Sequence, residues 1–160
     1  MKRHILCISS ILLGGGCYNT SFVRNDGPVR GGGVAIAVIG QRCDFSPDFN
    51  DNAPEANAVL PNRLDLGVRV AIENESGETI TVTPQNLRLL VGNASDAPMV
   101  APEPLEIAPG GKAKVSLRFQ HRGDVGCNAN LSLALDKVVV TGVHALELRP
   151  VSFVPSTTET

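Results

Sequence analysis

The sequence predicts an all-β fold, an antiparallel β-sandwich, on three observations. Apolar residues recur at every second position through most of the chain. Turn-forming residues punctuate these runs at short intervals. After residue 16 no stretch shows a helical period of useful length. A closed β-barrel is the alternative with the same signature.

The elements follow in order. Val34, Ile36 and Val38 share one face of a strand that runs to Ile39, and 44–62 reads as a long polar loop. Leu64, Leu66, Val68, Val70 and Ile72 then fall at strict period two, with Asp65, Gly67, Arg69, Ala71 and Glu73 between them. That is a strand with one buried and one solvated face. Asn74-Glu75-Ser76-Gly77 reads as a turn in which Gly77 supplies a positive φ. Ile80 and Val82 alternate with threonines in the return strand, and Leu87, Leu89 and Val91 mark the next, closed by Gly92-Asn93. Pro98, Pro102, Pro104 and Pro109 blunt a sheet edge. Beyond the Pro109-Gly110-Gly111 turn, Val115, Leu117 and Phe119 alternate with Lys114, Ser116, Arg118 and Gln120. A polar loop over 121–130 precedes Leu131, Leu133 and Leu135; Val138–Val140, Leu146 with Leu148, and Val151–Val154 complete the set. About eight or nine short strands make one sandwich domain over 34–155, with a polar tail at 156–160.

Ahead of this domain, Met1-Lys2-Arg3-His4 is a basic start, Ile5–Leu13 is apolar apart from Ser9 and Ser10, and Gly14-Gly15-Gly16-Cys17 follows. A basic region, a short apolar core and small residues at a cut site describe a secretory signal over 1–16. The apolar core is too short to span a bilayer. Its end resembles the lipobox of bacterial lipoproteins, in which a Leu, a small residue and Gly or Ala precede the Cys that receives diacylglycerol. Gly15, Gly16 and Cys17 match that pattern, while Leu13 stands one place early and Gly14 occupies the Leu position. The resemblance implies cleavage before Cys17, a lipid on Cys17 and a membrane anchor; an ordinary secreted protein and a basic cytosolic N-terminus are the alternatives. Tyr18 after the Cys, where Asp favours inner-membrane retention in Gram-negative envelopes, implies the outer membrane. Asn, Ser, Asp and Gly over 18–33 read as a flexible tether from the lipidated Cys to the domain.

Composition excludes several function classes. Without Lys2 and Arg3 the 14 Lys+Arg fall to 12 against 16 Asp+Glu, a net charge of −4. A mildly acidic domain lacks the electrostatic footprint of a nucleic-acid partner. With no Trp, one Tyr and five Phe, stacking platforms for single strands and aromatic sugar grooves are lacking. Cys7 leaves with the signal and Cys17 takes the lipid, so Cys43 and Cys127 remain as an even pair in an oxidising compartment. A disulfide between them closes a loop of about 85 residues, about 4–5 kcal/mol in the chain-entropy model; two free core thiols are the other reading.

The run VRVAIENESGETITV, followed by LRLLVGN and LEIAPGGKAKVSLRF, resembles the immunoglobulin-like domains of secreted bacterial lipoproteins over about residues 64–154. The resemblance implies an immunoglobulin-like sandwich and no particular chemistry. The antibody-type Cys–Trp–Cys core is absent, since there is no Trp.

One loop has a metal-binding reading. From Asp44, oxygen-bearing side chains fall at positions 1, 3, 5, 7, 9 and 12 of the stretch 44–55, the spacing of a calcium loop. The calcium ligands would come from Asp44, Asp48, Asn50, Asp51, Asn52 and Glu55. Phe49 stands where such loops need Gly, and the bland reading is a solvated turn-rich loop. The stretch DFNDNAP also resembles the calcium linker of cadherin repeats. His121 sits at a strand end, and His144 shares parity with Leu146 and Leu148, which makes it a partly buried strand residue. Neither has a ligand at metal spacing. There is no Gly-x-Ser-x-Gly, and Gly31-Gly32-Gly33 lacks the helix and Lys of a phosphate loop. The expectation is a protein that is not an enzyme and needs no cofactor: a lipid-anchored binding or structural module for another envelope protein, contacting it through loops or an edge strand. The alternative is a calcium- or small-ligand-binding lipoprotein using 44–55.

Overall fold

The computed structural model describes residues 24–25, 27–46 and 62–154. Among them run thirteen strands. The first six are β1 (Arg24–Asn25), β2 (Val29–Gly31), β3 (Val34–Ser46), β4 (Arg63–Asn74), β5 (Ile80–Val82) and β6 (Arg88–Val91). The others are β7 (Ala94–Asp96), β8 (Leu105–Ile107), β9 (Lys112–Arg122), β10 (Leu131–Ala134), β11 (Val139–Thr141), β12 (His144–Ala145) and β13 (Val151–Val154). All pairings are antiparallel, and the architecture is an all-β sandwich.

One layer is the sheet β2-β3-β4-β9, built around the strand with the cleanest alternation. Every second residue of β4 is buried, and the register sets Val70 between Val38 and Val115, Val68 between Gln41 and Leu117, and Leu66 between Cys43 and Phe119. Directly opposed residues share a face, so these rows form one largely apolar surface, into which Gln41 brings a polar side chain. The other layer consists of two shorter sheets, β1-β13-β10-β6-β7 and β12-β11-β5-β8. Its two breaks lie side by side. A 3-10 turn at Pro84–Asn86 separates β5 from β6, and residues 135–138 separate β10 from β11. Thr83 N donates to Val138 O at 2.8 Å and Asn86 Nδ2 to Lys137 O at 2.9 Å across the breaks. The backbone groups that leave the ladder thus find partners across the breaks, one in backbone and one in the Asn86 side chain. The strands beyond the eight or nine expected include the short β1, β2, β7 and β8. The inner faces of both layers merge into one apolar cluster that includes Ile72, Phe119, Leu133, Val139 and Phe153.

Four expectations are corrected. First, β3 does not stop at Ile39 but continues to Ser46, so Asp44 lies in a strand rather than a loop. The register shifts between Val38 and Gly40, which is a β-bulge. The extra residue flips the parity: Ile36 and Val38 face the core before it, Cys43 after it. Unbroken alternation would have turned Arg42 and Asp44 inward and Cys43 to solvent. Second, the tether expected over 18–33 contains β1 and β2, and Val29 is buried. A Cβ on Gly31 would meet Leu148 Cδ2 at 2.7 Å and one on Gly32 would meet Leu146 Cδ2 at 2.8 Å. These glycines are sites of close packing against side chains far along the chain. Third, Gly77 is not among the residues of positive φ. The turn is held instead by Asn74, whose Oδ1 accepts from Ser76 N at 3.0 Å, an Asx-turn. Fourth, β12 is two residues long and His144 is exposed, while Leu146 and Leu148 pack against the core outside any strand.

Asn74 is fully buried and its side-chain hydrogen-bonding groups are engaged. Nδ2 donates to Glu78 O at 2.7 Å and to Ile107 O at 2.9 Å, and Ser76 Oγ donates to Oδ1 at 2.6 Å. Its backbone joins the Pro109-Gly110-Gly111 turn: Asn74 N donates to Gly111 O at 2.9 Å, and Gly110 N donates to Asn74 O at 2.8 Å. A buried amide with this many partners offsets its desolvation. At the other end of β4, Cys43 and Cys127 form a disulfide with their Cα atoms 5.8 Å apart, as such bonds require.

Candidate functional site on the outer face of the long sheet

The residues of β4 that alternate with the core point to solvent, and register brings β3 and β9 side chains beside them. Glu73 stands next to Lys112, and Ala71 between Ala37 and Lys114. Arg69 lies between Gly40 and Ser116, Gly67 between Arg42 and Arg118, Asp65 between Asp44 and Gln120, and Arg63 beside Arg122. This face has seven basic side chains and three acidic ones, in a chain whose formal net charge is −2. All three acids are engaged within the face. Arg42 Nε lies 3.0 Å from Asp44 Oδ2, Arg63 Nε 2.8 Å from Asp65 Oδ2, and Lys112 Nζ 2.8 Å from Glu73 Oε1. Gln120 Nε2 also donates to Asp65 Oδ1 at 3.1 Å. Among the described residues no carboxylate lies within 4.0 Å of Arg69, Lys114, Arg118 or Arg122.

Gly67 opens this face. It stands in the middle of β4 with no positive φ, and a Cβ there would meet only ordinary contacts at 3.8 Å, to Arg42 Cβ and Arg42 O. Neither conformation nor space therefore demands glycine. Its effect is a trough of about 520 Å³ floored by Gly40, Gly67 and Ser116 and walled by Ile39, Arg42, Arg69 and Arg118. A hollow of about 370 Å³ shares Arg42, Gly67 and Arg118 and runs to Asp44 and Asp65. Another of about 510 Å³ shares Ser116 and runs to Lys114, Val100 and Pro102. The margins are apolar. Ile39, thrust out by the bulge, is 43% exposed; Met99 and Val100, bonded to the β9 edge through Arg118, are 65% and 54% exposed.

Of the residues with a calcium reading, Asp44 is placed on this face, in β3 and hydrogen-bonded to Arg42. Asp48, Asn50, Asp51, Asn52 and Glu55 lie outside the described residues, as does Cys17. Among the described residues no three His, Cys, Asp or Glu side chains are grouped to hold a metal ion. The structure also contains a pair that the sequence does not announce. His121 is 8% exposed, and its Nδ1 lies 2.8 Å from Asp96 Oδ2. It ties β9 of one layer to β7 of the other. A Cβ on Gly123 would come within 2.9 Å of His121 Nε2, so backbone crowds the outer nitrogen and the pair serves as a seam between layers. The basic face was also missed. Its one local signal was a glycine in the middle of the most regular strand.

No family model and no curated protein matches the chain. Among solved structures, it is similar to a functionally unknown protein from Listeria monocytogenes EGD-e. The TM-score is 0.55 at 11% sequence identity, and the match covers 89% of this chain and 90% of that one. At this identity the likeness is one of fold.

Proposed function

We propose that the protein is a lipid-anchored, non-catalytic module of the bacterial cell envelope, held by a lipid on Cys17, whose β-sandwich binds another envelope protein. The observation that carries this reading is the use of the cysteines. Cys7 and Cys17 belong to a leader and its lipobox-like end, and the two that remain, Cys43 and Cys127, are joined in a disulfide. A structural disulfide belongs to an oxidising compartment, which supports export independently of the N-terminal pattern. The leader end, with Gly15 and Gly16 before Cys17, supports the anchor, and the trough on the exposed sheet face supports the binding role. Mass spectrometry of the mature protein tests it: the N-terminal residue is expected to be Cys17 bearing diacylglycerol, with Cys17→Ser releasing the protein from membranes. A free N-terminus at residue 18 or beyond would overturn the anchor.

A further inference from the structure

We infer that the trough over Gly67 is a binding site for an extended, acidic segment of a partner protein, one with carboxylates at alternate positions and apolar residues at its flanks. The inference rests on the binding-module reading and names the partner's chemistry. The first ground is Gly67 itself. Glycine in a strand interior costs stability and marks places where a ligand or another backbone approaches closely. Here it is not needed for φ or for space, so close approach from outside is the role left to it. The second ground is charge. Arg42 and Arg118 flank Gly67 in one row, and Arg69 stands in the next. Arg69 and Arg118 have no carboxylate partner among the described residues. Guanidinium forks match carboxylates in two-point geometry.

Spacing gives the third ground. Successive rows of the face are two residues apart on β4, about 6.8 Å, and an extended segment presents alternate side chains at the same interval. Carboxylates at positions i and i+2 of a segment lying along the strands therefore meet the Arg42–Arg118 row and the Arg69 row in turn. The fourth ground is the rim, where Ile39 and Val100 offer apolar contact at the β3 and β9 margins. Arginine with exposed Met and aliphatic side chains is the composition of a protein interface rather than of bare solvated surface. A flat lipid surface cannot reach the floor of a trough walled by Arg42, Arg69 and Arg118, and the rest of an acidic chain is repelled by anionic headgroups. Nucleic acid finds no aromatic side chain in the lining.

The test uses the purified full chain and three probes: a fluorescent eight-residue peptide alternating Asp or Glu with Val, its Asn/Gln counterpart, and phosphatidylglycerol vesicles. The acidic peptide is expected to bind about tenfold or more tightly than its amide counterpart, with affinity falling as salt rises. Arg118→Glu is expected to lower that affinity by about tenfold or more. Gly67→Val is expected to abolish binding without lowering the thermal midpoint, a combination that a merely structural glycine does not give. Equal affinity for both peptides, wild-type binding by Gly67→Val, or binding of vesicles and not of peptide would each overturn the proposal. Photocrosslinking in cells separates this inference from the reading beneath it. Crosslinks to a protein from Ser152 on the opposite layer, with none from Ser116 in the trough, would refute this face and leave the module standing. Absence of crosslinks from either position, with acidic-peptide binding intact, would refute the module and leave the chemistry of the face.

Discussion

The two ends of β4 are closed by different chemistry. At the Asn74 end, one buried amide ties the long sheet to the Ile107 carbonyl of β8 in the other layer, and every group involved lies within residues 74–78 or 107–111. At the other end Cys43, opposite Leu66, is covalently bonded to Cys127, 84 positions further along the sequence. The polar closure specifies a geometry, since an amide satisfied by four partners tolerates little displacement. The covalent closure restricts the unfolded chain and asks only that the two thiols meet. Between these ends the outer face of β4 is free to be shaped by something other than stability, and it is there that a glycine interrupts the strand.

The covalent end carries the largest expected effect. Replacing both Cys43 and Cys127 by Ala is expected to cost about 4–5 kcal/mol in the chain-entropy model, read by urea unfolding against the oxidised wild type. A loss below about 1 kcal/mol would mean that the unfolded chain is already compact and the bridge constrains little. At the polar end, Asn74→Ala is expected to cost about 3 kcal/mol, because it leaves the carbonyl of Ile107 and the amide of Ser76 without their partner in a buried site. Hydrogen exchange distinguishes the two. Asn74→Ala is expected to raise exchange around 74–78 and 107–111 alone, and the cysteine variant to raise it throughout the core. Uniform loss in both would abolish the distinction between a local and a global closure.

Legibility in the sequence follows the same division between local and distant causes. The strands with strict alternation are visible because burial on one face writes itself into every second residue, as in Leu64–Ile72 and Val115–Phe119. The Asn74 turn is visible as a turn, but not its mechanism, since Gly77 offers the more familiar explanation and the buried amide depends on Ile107. The bulge after Val38 has no period of its own; only pairing with β4 reveals that Cys43 changes face. Gly31 and Gly32 read as coil because their packing partners, Leu148 and Leu146, arrive from the far end of the chain. The basic trough is assembled by register from Arg42, Arg69 and Arg118 on three strands, and no window of sequence contains it. The pairing of Cys43 with Cys127 was legible for a different reason: with Cys7 and Cys17 assigned to the expected leader and anchor, the two cysteines left allow one bridge.

Ser76 decides whether the polar closure acts as one unit. Ser76 Oγ donates to Asn74 Oδ1 at 2.6 Å and lies 3.3 Å from Glu78 N, which donates to it. The hydroxyl also lies 3.0 Å from Glu78 O; Ser76→Ala removes all three contacts but leaves Ser76 N bonded to Asn74 Oδ1, and Ser76 is only partly buried. Water can replace what is lost, so the expected cost is about 1 kcal/mol. If the Asn74 closure is one cooperative unit, the cost of Ser76→Ala should fall by half or more in an Asn74→Ala background, because the hydroxyl then loses Oδ1 and keeps only its contacts with Glu78. The double-mutant cycle would show a coupling of about 0.5–1 kcal/mol. The same Ser76→Ala change in the background of the paired cysteine replacements should cost its full amount, since that closure lies at the opposite end of β4. Equal coupling to both ends would mean that the turn senses the stability of the whole domain rather than the amide beside it.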